Sequence, residues 1–122
     1  MLSFTVYKAL HLLGIMFTVA ALGGMAIHAA NGGTRPESRT RALATALHGT
    51  GLLLVLVAGF GMLARLGGSA ASGWVLVKLA IWLTLGAAAM IPYRRPSWAR
   101  ALFVAVPLLA ALAGIMALTK PF

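Results

Sequence analysis

Phe4-Thr5-Val6-Tyr7-Lys8-Ala9-Leu10-His11-Leu12-Leu13-Gly14-Ile15-Met16-Phe17-Thr18-Val19-Ala20-Ala21-Leu22-Gly23-Gly24-Met25-Ala26-Ile27-His28-Ala29-Ala30 is the stretch whose reading decides the fold. An α-helix needs about 20 mainly apolar residues to cross about 30 Å of hydrocarbon, and this run exceeds that with Lys8 as its one charge beside two histidines. Working outward, three further apolar blocks follow at about 43–66, 73–92 and 98–118. Of the 122 residues 61% are hydrophobic, more than a soluble domain of this size can bury, so the surplus has to face lipid. Within lipid every backbone polar group needs an internal partner, which leaves helices as the workable spans. The expectation is an all-α, four-transmembrane-helix bundle forming a single domain over 1–122, with sequential helices as antiparallel neighbours because the connections are short.

Charge is distributed between the spans. Ten Lys or Arg stand against one acid, Glu37, for a formal charge of +9. In a soluble protein that balance would suggest nucleic acid. Here the basic residues flank apolar spans, where they set topology and meet anionic head groups, and nucleic acid is not an expected partner. Arg35, Arg39 and Arg41 fall in the first connection and Arg94, Arg95 and Arg100 around the third. The positive-inside rule then puts both termini outside the cytoplasm, with Tyr7 and Trp74 at the outer boundary and Tyr93 and Trp98 at the inner one. The start lacks a basic n-region and its apolar run is too long for a signal peptide, so it reads as an uncleaved first span. Gly23, Gly24, Gly49, Gly51, Gly59 and Gly61 let backbones approach closely, and Pro107 is expected to kink the fourth span.

Chemistry has few residues to work with. The chain has no cysteine, which excludes disulfides, iron–sulfur clusters and thiolate metal sites. Glu37 sits in a loop without a carboxylate partner, so paired-carboxylate catalysis is unsupported. Lys8, His11, His28, His48 and Lys78 are the ionisable residues at membrane depth, where each is a functional candidate. His11, about seven residues into the first helix, and Lys78, about five into the third, lie within a turn of the same depth, with Met62 and Met116 in that layer. His28 reads as an interfacial imidazole facing head groups. His48, before Gly49-Thr50-Gly51, reads either as an interhelical hydrogen bond or as a ligand. Lys78 taken alone would snorkel to the head groups. Any redox chemistry requires a bound cofactor, and haem is the natural one, since His, Met and Lys can serve as its axial ligands.

Three segments carry a resemblance: Lys8-Ala9-Leu10-His11, Gly73-Trp74-Val75-Leu76-Val77-Lys78-Leu79, and Lys120-Pro121-Phe122. Together they resemble the HemJ-type protoporphyrinogen oxidases, within a broader family of small haem-associated membrane proteins that includes the copper-resistance D proteins. The resemblance implies a bacterial inner-membrane protein holding haem b, with His11 as the metal ligand and Lys78 at the family's key lysine. It implies oxidation of protoporphyrinogen IX, a tetrapyrrole, with electrons passed towards the respiratory chain. Lys78 would then meet a propionate or transfer a proton; His48, which the resemblance does not cover, stands as a third candidate cofactor-binding position from its own place in the second span. The family's Trp-rich stretch and LPRLFVYH-like segment correspond here to Thr18, Ala20, Ala21 and Gly23-Gly24-Met25-Ala26-Ile27-His28, with no Pro-Arg pair. Two readings therefore stand side by side: a HemJ-like haem protein, and a non-catalytic accessory subunit packed against a larger respiratory or photosynthetic complex. Association with a second copy of the chain is open in either. A small transporter or channel would need more polar residues along a path.

Overall fold

The computed structural model describes residues 2–121 and is helical throughout its ordered elements. Helix α1 spans Phe4–Ala30 and is capped by Ser3, whose Oγ accepts from the Val6 amide at 3.2 Å. Helix α2 spans Arg41–Leu66 and stops at Gly67, whose φ of 68° suits a residue without Cβ. Helix α3 spans Gly73–Ala88, α4 is the single turn Ile91–Arg94, a 3₁₀ turn covers Pro96–Trp98, and α5 spans Ala99–Thr119. Three stretches, Phe4–Ala30, Arg41–Leu66 and Pro96–Thr119, are long and apolar enough to cross a membrane, as in a multi-pass membrane protein. Helix α5 continues on both sides of Pro107.

The third block departs from its expected bounds. Helix α3 has 16 residues, a length of about 24 Å, and the chain turns at Ala89 and Met90 before resuming in α4. Pro92 accounts for the break. Continued as helix, its ring would crowd the carbonyl four residues earlier, that of Ala88, and it has no N–H to donate there. Ala88 is the last residue of α3.

Helix α1 is the central element. It lies against α2 on one side and α5 on the other, and α3 packs on α5. The α1–α2 contact is the closest in the molecule: a Cβ placed on Gly14 would stand 2.7 Å from the Gly51 carbonyl oxygen and 2.9 Å from the Val55 nitrogen. Two backbones meet there, and only glycine on both helices permits it. Gly14 escaped the reading of small residues above. Thr18, buried beside this contact, donates its hydroxyl to the Gly14 carbonyl on its own helix at 2.9 Å. Further along, Leu22, Ala88 and Val106 join α1, α3 and α5 in a buried cluster.

Consecutive helices α2 and α3 are neighbours, as their short connection requires, but they meet through side chains more than through backbone. Large side chains, Leu52 and Phe60 on α2 and Trp74 and Trp82 on α3, hold them apart and line a cleft between them. Two side-chain bonds span the seam and show that the pair is antiparallel. Trp82 Nε1 donates to the Leu52 carbonyl at 2.9 Å, and His48 Nε2 bonds the Leu85 carbonyl at 3.0 Å.

Candidate haem-type site

His11 is placed by the helix α1 face that meets α2. It is 8% exposed, and its Nδ1 lies 2.9 Å from the Val55 carbonyl oxygen. A carbonyl can only accept, so Nδ1 carries the proton and neutral His11 keeps its lone pair on Nε2. Gly59, one turn along α2, makes room for the ring, since a Cβ there would meet His11 Cε1 at 3.2 Å. A histidine that ligates a metal characteristically donates its other ring N–H to a carbonyl or carboxylate, which fixes tautomer and orientation. His11 already has that support.

The cleft brings His11 and Lys78 together, along with Trp74 and Trp82. Lys78 is half-buried and lines the cavity from α3. Trp74, Lys78 and Trp82 recur every four residues and so share one face of α3, a spacing that was available in the sequence. At the mouth, Lys120 Nζ stands 5.4 Å from the centre of the Trp74 ring, a cation–π contact, and donates to the Ala117 carbonyl at 2.7 Å. Residues from all three resemblance segments thus gather at one end of the bundle. Phe122, the last residue of the third segment, lies outside the described residues.

Other candidates fall elsewhere. Lys8 is exposed, and neither Met62 nor Met116 lines the cleft. His48 also stands outside the cleft lining. Its bonded acceptor, Leu85, belongs to the last four residues of α3, whose carbonyls lack helical partners, so His48 serves as a cap supplied from the neighbouring helix. His28 faces a second cavity at the opposite end, with its Nδ1 2.8 Å from the Tyr93 hydroxyl.

Among the described residues no three His, Asp or Glu side chains converge as a bare metal ion would require. A metal in the cleft would arrive with ligands of its own, as haem iron does. The donor chemistry fits that group: one oriented imidazole, a lysine beside it and flat aromatic walls. Space is more restrictive. The cavity volume is about 100 Å³, below the roughly 300–1,000 Å³ usual for small-molecule sites. A macrocycle would therefore fit only if side chains lining the cleft moved aside. Comparison of the chain with family models, with curated proteins and with solved structures gives no match.

Proposed function

We propose that the chain is a haem-associated, HemJ-like protein of the bacterial inner membrane, crossing it four times with both termini outside the cytoplasm. The observation that carries this reading is the His11 imidazole, held through Nδ1 by the Val55 carbonyl with Nε2 left for a ligand in the cleft. In this reading His11 holds the iron, Lys78 offers its ammonium group to a tetrapyrrole carboxylate, and Trp74 and Trp82 wall the macrocycle. Bound haem would supply electron-transfer chemistry that no side chain here possesses. Protoporphyrinogen IX is the substrate the resemblance suggests, with the respiratory chain as electron sink. The test is an absorption spectrum of the purified, haem-reconstituted chain, oxidised and reduced. A Soret and an α band that vanish in His11→Ala support the reading, and wild type without haem absorbance contradicts it.

A second reading has its own support. Of the most apolar 18-residue window of each helix, 33% is buried in α1 and only 6% in the segment containing α5. An outer helix so little covered suits lipid, a second copy, or the flank of a larger membrane complex, as the accessory-subunit reading requires. Purification in mild detergent separates the two: a colourless chain that elutes only with larger partners favours the accessory subunit.

A further inference from the structure

The second cavity differs from the cleft in its charge: two arginines and several hydroxyls line it. It lies where the first connection folds back against the end of α1, and a water-sized molecule can be centred in about 290 Å³ of it. Its rim is cationic and hydroxyl-bearing, with Arg35, Arg41 and Thr40 beside the bonded pair His28 and Tyr93. Arg35 reaches the Thr45 hydroxyl at 3.4 Å and Arg41 the Pro36 carbonyl at 3.3 Å. Among the described residues neither guanidinium meets a carboxylate, and Glu37, the one acid of the chain, is occupied by the Thr34 hydroxyl and amide. Helix α2 begins at this rim, and Thr40 at its N-cap makes no side-chain cap bond, so the amides of the first turn remain for an acceptor. Below the rim the walls turn apolar, through Gly24 and Met25 of α1 and Leu47 of α2.

Two guanidinium groups that meet no carboxylate among the described residues, beside uncapped helix amides, recognise a phosphate, and an apolar floor at membrane depth recognises a hydrocarbon chain. We propose that this cavity holds the phosphate headgroup of an anionic lipid between Arg35 and Arg41, with one acyl chain laid on the floor formed by α1 and α2. The site is independent of the haem reading and stands or falls without it.

The test uses the full-length chain in detergent, titrated with dioleoyl phosphatidylglycerol, with dioleoyl phosphatidylcholine and with inorganic phosphate, and read by native mass spectrometry. One phosphatidylglycerol should bind in preference to phosphatidylcholine. A basic residue near a membrane surface is worth about 1 kcal/mol, so Arg35→Gln with Arg41→Gln should weaken that binding roughly 30-fold. Arg94→Gln with Arg95→Gln, outside the cavity, should change it by less than about threefold. Gly24→Leu fills the floor at a position where a Cβ meets nothing within 4 Å, and it should weaken lipid binding with helix content intact, which keeps the test open should the arginine pair misfold. Equal losses from both arginine pairs would reduce the effect to surface charge and overturn the proposal. Phosphate displacing the lipid at equal concentration would make the site one for free anions, and indifference to Gly24→Leu would remove the acyl chain; either also overturns it.

Discussion

His11 and His28 stand on the same helix and teach opposite lessons. His11 bonds a backbone carbonyl, which dictates one tautomer, with Nε2 left bare, and the residue lines the cleft. His28 bonds the Tyr93 hydroxyl, which can donate as readily as accept, so neither tautomer is imposed. The first imidazole is buried among apolar walls, and the second, half-buried, lies in a cavity that also holds Arg35 and Arg41. What sets the tautomer of a histidine inside the bundle is therefore the acceptor behind it more than its depth.

The largest effect that could break this contrast is spectroscopic. His11→Ala should abolish haem absorbance in the reconstituted chain and His28→Ala should leave it unchanged; equal losses would erase the distinction. Next comes the frame that presents Val55 to His11. Gly51→Leu forces its side chain against Thr18 and the Gly14 carbonyl, and should lower unfolding stability in detergent by about 1–3 kcal/mol while disordering the His11 site. A variant as stable as wild type would show that the helices can part without cost. Smaller is Trp82→Phe, which removes the Leu52 bond across the seam and should cost about 1 kcal/mol, with haem uptake faster than in wild type. Slower uptake would place the entry elsewhere.

The smallest effect concerns the loop near His28. The Thr34 hydroxyl and amide hold the Glu37 carboxyl below its ordinary range. A carboxylate with a lowered folded-state value adds stability above its unfolded value and loses it as pH falls through the folded one. Thr34→Val should therefore move the Glu37 titration upward, followed by carboxyl NMR, and narrow that acid window. An unmoved titration would assign the effect to the amide.

The spans themselves were readable because lipid leaves few options: α1 falls at Phe4–Ala30 as the apolar run required, and α2 at Arg41–Leu66 begins two residues before the expected block. Depth was readable too, since counting at 1.5 Å per residue put His11 and Lys78 in one layer, and they share a cleft. Rotation was harder. Glycine-rich helices accept several facings, so the sequence left His48 between a ligand and an interhelical bond, and packing gives it the Leu85 carbonyl. The His28–Tyr93 bond needed the turn at Pro92 to swing α4 against the end of α1, a long-range consequence that no local pattern announces. That α2 and α3 are antiparallel neighbours was legible from their short connection, but the cleft that Trp74, Trp82 and Phe60 line between them was not.

The central claim is that His11 offers Nε2 to the cleft. Its most direct test is a nitrogen-15 NMR spectrum of the haem-free chain in lipid nanodiscs, at a pH where imidazole is neutral, with His11→Ala used to assign the signal. The account predicts a protonated Nδ1 and a bare Nε2 for His11. A proton found on Nε2 would mean that the Val55 carbonyl does not hold the ring, and would contradict the reading of the cleft as a ligand site.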